Sequence, residues 1–92
     1  MSKIKVHFYG LIKGDFFVQE FEVDSLYTLG DLEKDIVRIY GNDINEDYKS
    51  NEGLLNHKLV RVGDVSGKRL DDLNTDISGL SEIWFVVPFA GG

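Results

Sequence analysis

The sequence predicts an α+β domain, a mixed sheet of four to five strands with one main helix packed across one face. Three observations carry this expectation. Segments 3–9 and 16–23 alternate apolar and polar residues and lie close enough in sequence to form an antiparallel hairpin. One amphipathic segment follows them at helical spacing. The most apolar run, Ile83-Trp84-Phe85-Val86-Val87, comes near the end, and a strand of that composition belongs in a sheet interior.

The first strand puts Ile4, Val6 and Phe8 on one face and Lys3, Lys5, His7 and Tyr9 on the other, so one side of it is wet or partner-facing. Segment 10–15 holds two glycines and is a turn. The second strand points Phe17, Phe21 and Val23 inward and Val18, Glu20 and Glu22 outward. Thr28 is a suitable N-cap, with Asp31 three residues later to complete a capping box. Leu29, Leu32, Ile36 and Ile39 form the expected apolar stripe, and Gly41 occupies the place of a left-handed C-terminal glycine.

Segment 42–53 is polar and acidic. Asn42, Asp43, Asn45 and Asp47 offer oxygens, but their spacing lacks the central glycine and terminal bidentate glutamate of an EF-hand, so a solvated loop returned to the body by Leu54 and Leu55 is expected. Segment 58–65 alternates again, with Leu59 and Arg61 opposite Val60 and Val62. Segment 69–75 gives a short strand or an irregular crossing pinned by Leu70 and Leu73, and 77–82 is a loop pivoting on Gly79. The order is β-β-α-β-(β)-β. With the apolar last strand central, beside the first and parallel to it, this is a β-grasp, or ubiquitin-like, roll.

Ninety-two residues make a single domain, 1–92. Ten basic against sixteen acidic side chains leave a net charge of −6, which argues against nucleic acid or an anionic membrane as partner. Cysteine is absent, which excludes disulfides, thiolate nucleophiles and thiolate metal ligands. The start has no long apolar core of a signal peptide and no run reaches membrane-span length, so the expected compartment is the cytoplasm.

The chain closes on Pro88-Phe89-Ala90-Gly91-Gly92. Pro88 cannot donate a ladder hydrogen bond, so pairing is expected to stop there. Glycine has no Cβ, and a Gly-Gly end threads narrow channels. The four residues from Phe89 to Gly92 reach about 13 Å when extended, enough to enter a partner's active site. The expected working group is the carboxylate of Gly92. His7 has no carboxylate or nucleophile near it in the sequence and makes a poor general base. No Ser-His-Asp set, phosphate loop or metal-ligand constellation is present, and the chain is expected not to be an enzyme by itself.

In element order the whole chain resembles the MoaD/ThiS-type sulfur carriers of the ubiquitin-like superfamily. The specific part is segment 82–92, where Glu82, Ile83, Phe85, Pro88, Gly91 and Gly92 match the layout of the molybdopterin synthase small subunit. Val87 stands where that layout has a first proline, and Ser78-Gly79-Leu80-Ser81 replaces its Asp-Gly-Asp turn. Ala90-Gly91-Gly92 would suit the thiamine-pathway carrier equally. That carrier is usually shorter and lacks the proline, so Pro88 and the length favour the molybdopterin side.

The resemblance implies a mechanism. An E1-like partner enzyme would adenylate Gly92 with ATP, and a sulfur donor protein would convert the adenylate to a thiocarboxylate. The sulfur would then pass to a pterin precursor in the large subunit of molybdopterin synthase, in a possible heterotetramer serving molybdenum or tungsten cofactor biosynthesis. No cofactor would be held tightly by the chain itself. With Ile83, Phe85 and Val87 facing the helix, Trp84, Val86 and Pro88 would share the open face with His7 and Tyr9 as a partner-binding patch. Protein tagging through the same activated glycine, or a plain interaction domain, remain the alternative functions.

Overall fold

In the computed structural model, which describes residues 2–88, β1 (Ser2–Tyr9) and β2 (Phe16–Val23) form the expected antiparallel hairpin. Helix α1 (Leu29–Tyr40) follows, then β3 (Arg61–Asp64) and β4 (Glu82–Val86). The strands lie in the order β2-β1-β4-β3, with β1 and β4 parallel and β3 antiparallel to β4. The chain therefore has the mixed sheet and single main helix of a β-grasp-like α+β fold, and its most apolar strand is hydrogen-bonded on both edges. No helix among the described residues is long and apolar enough to cross a membrane.

Alternation decides which side is core. Ile4, Val6 and Phe8 from β1, Ile83 and Phe85 from β4 and Val62 from β3 are buried against Leu29, Leu32 and Ile36 of the helix. Phe17 and Phe21 of β2 pack at the margin of this cluster. The helix starts as the sequence requires. The Thr28 hydroxyl accepts from the Asp31 N–H at 3.1 Å, and the Asp31 carboxylate accepts from the Thr28 N–H at 3.1 Å. Such a cap is worth about 1 kcal/mol.

The helix departs from expectation at two places. Ile39 is 51% exposed, while Glu33 is fully buried in the stripe. At about 100° per residue Ile39 lies roughly 90° from the centre of the face made by Leu29, Leu32, Glu33, Ile36, Val37 and Tyr40. Gly41 is not left-handed; at φ −54°, ψ −34° it carries the chain into a one-turn 3₁₀ helix, Gly41–Asp43.

Segment 42–53 is a loop with structure of its own. A second 3₁₀ turn, Glu46–Tyr48, is capped by Asn45, whose side-chain oxygen accepts from the Asp47 N–H, and Ile44 between the two turns is buried. Leu54 and Leu55 return it to the core. The strand expected over 58–65 shrinks to Arg61–Asp64. The cause is a turn in which the N–H groups of Leu59 and Val60 both donate to the Asn56 carbonyl. Segment 69–75 is an irregular crossing. It touches β3 through one bridge, Gly63 to Arg69, then runs past the helix start, where Leu29 and Gly30 donate to the carbonyls of Thr75 and Leu73.

Candidate functional site

The open face of the sheet can be written out from the pairing register. Its rows are Lys3 with Glu22; Glu20, Lys5 and Glu82; Val18, His7, Trp84 and Gly63; and Phe16, Tyr9, Val86 and Arg61. Two regions result. The rows where β1 begins are charged, and opposite signs face each other across the strands. The rows at the end where β4 exits are apolar and aromatic. Phe16 is 74% exposed, Val18 and Tyr9 about half exposed, and Trp84 and Val86 half-buried. An apolar patch on an otherwise charged face is a candidate interaction surface.

His7, Tyr9, Trp84 and Val86 come together here as expected. The His7 and Trp84 rings stack at 4.2 Å between centroids with 5° between their planes. Tyr9 stacks on Phe16 at 5.2 Å. Register explains both contacts, since His7 is the direct cross-strand partner of Trp84, and Tyr9 of Phe16. Pro88 is exposed just past the last ladder bond, in which the Val87 N–H donates to the Tyr9 carbonyl at 3.0 Å. Phe89, Ala90, Gly91 and Gly92 lie outside the described residues.

His7 has no carboxylate near it in the sequence, but the fold brings one to it through space: Nε2 lies 2.9 Å from Glu82 Oε1. Glu82 is 75 positions away in the chain and sits diagonally across the parallel pair, one row from His7. With Glu82 beneath and Trp84 beside it, the imidazole is held upright on the sheet. The arrangement orients a ring at a surface, and among the described residues no hydroxyl or other nucleophile is bonded to it.

A groove of about 470 Å³ adjoins Trp84, lined by β3 and the turn after it. Of its lining, the sequence points only to Trp84 and Val86. Arg61, Gly63, Val65 and Arg69 also contribute; the alternation of β3 turns 61 and 63 to the open face, and no pattern in the sequence brings Val65 and Arg69 beside them. Asp64 also lines it. Hydrogen bonds from the Ser66 hydroxyl, then from the Lys68 and Ser66 N–H groups, hold its carboxyl below the usual range and occupy it within the turn.

Two of the acidic loop's four candidate ligands are engaged locally: Asp43 lies 3.8 Å from Lys13, and Asn45 caps its own turn. Among the described residues no three His, Cys, Asp or Glu side chains are grouped to hold a metal ion. Another titratable cluster is built on the helix. Glu33, buried on the helix, accepts from the Leu55 N–H at 3.1 Å and meets His57 Nε2 at 2.5 Å. No protein-family model matches the chain, and no curated protein matches it.

Proposed function

We propose that this domain is a sulfur carrier of the molybdopterin-synthase small-subunit type, working in the cytoplasm, and that its reactive group is the carboxylate of Gly92. The observation that carries the reading is where the central strand ends. β4 is bonded on both edges as far as Val86, Val87 makes the last ladder bond, and Pro88 is exposed beside the aromatic patch. Pro88 therefore stands at the end of a central strand, from which the Gly92 carboxylate would be presented. A partner seated on His7, Tyr9, Trp84 and Val86 would find it within reach, about 13 Å for four extended residues.

The chemistry needs nothing further from this chain. A carboxylate is a poor acyl donor. Attack of a Gly92 oxygen on the α-phosphate of ATP, in an E1-like enzyme, releases pyrophosphate and leaves an acyl-adenylate. Sulfide, released by a donor protein at that oxidation level, then attacks the carbonyl carbon, AMP departs with the C–O bond, and a thiocarboxylate remains. The large synthase subunit would supply the side chains that pass this sulfur to a pterin. A carrier of this kind requires no cysteine, and this sequence has none.

Intact-mass measurement tests the reading directly, on the native gene product incubated with an activating enzyme, ATP and a sulfide source. The expected result is a terminus at Gly92 and the gain of one oxygen-for-sulfur exchange. Lysine adducts of higher mass would replace the carrier with a protein tag. An unchanged mass, or a native chain continuing past Gly92 without trimming, would overturn both. Removing Gly91 and Gly92 is expected to abolish the exchange while leaving the thermal midpoint nearly unmoved.

A further inference from the structure

The Trp84 indole has two faces, and His7 covers one of them. Across β4 the register partner of Trp84 is Gly63, which has no side chain, and the bridge partner of Gly63 is Arg69. Adjacent strands are about 4.8 Å apart, so Trp84 and Arg69 stand about 10 Å apart with glycine between them. That gap accommodates one planar group stacked on the indole on one side and on a guanidinium on the other. The groove of about 470 Å³ is this gap, widened by Arg61, Val65 and Val86.

Charge narrows the occupant. The chain carries a net −6, yet the two arginines lining the groove form no ion pair among the described residues. The one acid of the lining, Asp64, is bonded into its own turn. The slot also runs without a break into the exposed patch of Tyr9, Phe16 and Val86, a surface suited to a chain rather than to a free small molecule. We propose that the Trp84–Gly63–Arg69 slot receives an aromatic side chain from an acidic segment of a protein partner, with flanking carboxylates paired to Arg61 and Arg69. The assignment rests on the open face alone. It is independent of the chemistry at Gly92, and the mass measurement above does not touch the slot, so either can fail without the other.

Trp84 is the chain's single tryptophan, so its emission, excited at the red edge where the four tyrosines do not absorb, reports the slot. The probe is an acetylated, amidated peptide with one phenylalanine between two pairs of acidic residues, titrated into the full-length protein. The expected result is saturable change in Trp84 emission and in the amide resonances of Gly63 and Arg69, weakening as salt is raised. The Arg61→Gln/Arg69→Gln double variant, which leaves the backbone untouched, should weaken binding about tenfold, or ~1.4 kcal/mol. Gly63→Val should block it; a Cβ there meets the Lys68 carbonyl at 3.4 Å, so the arginine variant guards against a folding defect. Three outcomes would overturn the proposal: no response at millimolar peptide, an equal response to the same peptide with lysines for its acids, or the same shifts arising from self-association without peptide.

Discussion

The molecule contains two histidine–glutamate pairs, and they differ in almost everything but composition. His7 and Glu82 meet at 2.9 Å on the open face, with side chains 15% and 32% exposed. His57 and Glu33 meet at 2.5 Å against the helix, with Glu33 at 0% and His57 at 22%. The first pair orients a ring on a surface where water competes for both partners. The second satisfies a carboxylate that has no access to water, and through the Leu55 N–H it also fastens the long segment between α1 and β3. Identical chemistry is thus a positioning device in one place and a structural joint in the other. Burial of the acid makes the difference, since His57 is the more exposed of the two imidazoles.

The sharpest way to break this comparison is to remove each acid in turn. Glu33→Ala leaves the Leu55 N–H and the His57 ring without their partner, and loss of one member of a buried pair costs about 3–5 kcal/mol. Glu82→Ala should cost no more than about 1 kcal/mol. Urea unfolding of both variants checks the contrast. Equal losses would mean that the two sites are energetically alike.

Proton linkage gives the next largest effect. The hydrogen bond to Glu33 holds the His57 imidazole above its ordinary value near 6.5, aided by Asp71 and opposed by burial and by Arg69. A group whose folded-state value is raised adds stability that is complete below the unfolded value and fades as pH climbs through the folded one. The protein should therefore lose stability on going from mildly acidic to alkaline pH. His57→Gln, which keeps a donor but cannot take a charge, should flatten that slope. A slope unchanged in the variant would remove His57 as its source.

The two pairs also show what a sequence discloses. The sheet order, the capping box and the parallel neighbours β1 and β4 follow from alternation, spacing and apolar content, each a property of a short segment. Glu33 escapes such reading. A charged side chain within an apolar stripe looks like an interruption, and spacing alone lets Ile39 complete the stripe instead; only the return of Leu55 and His57 to the helix makes Glu33 burial tolerable. Glu82 escapes for another reason. Parallel pairing was foreseeable, but the register that sets Glu82 diagonal to His7 depends on how β4 seats against the core. The open-face patch was legible because facing follows parity along a strand. The groove beside it was not, because it arises from the missing side chain at Gly63.

The smallest expected effect separates the open-face pair from its setting. A double-mutant cycle over His7→Ala and Glu82→Ala should give a coupling of about 0.2–1 kcal/mol, the range of ion pairs within reach of water. His7→Ala alone should cost somewhat more than this coupling, because the ring also stacks on Trp84, and such stacking adds about 0.5–1.5 kcal/mol. Emission distinguishes the two contributions. Trp84 fluorescence should change in His7→Ala, where its stacking partner is gone, and much less in Glu82→Ala, where the imidazole remains packed against the indole. If Glu82→Ala disturbs the emission as strongly as His7→Ala does, the carboxylate, and not the stacking, is what keeps the imidazole against Trp84.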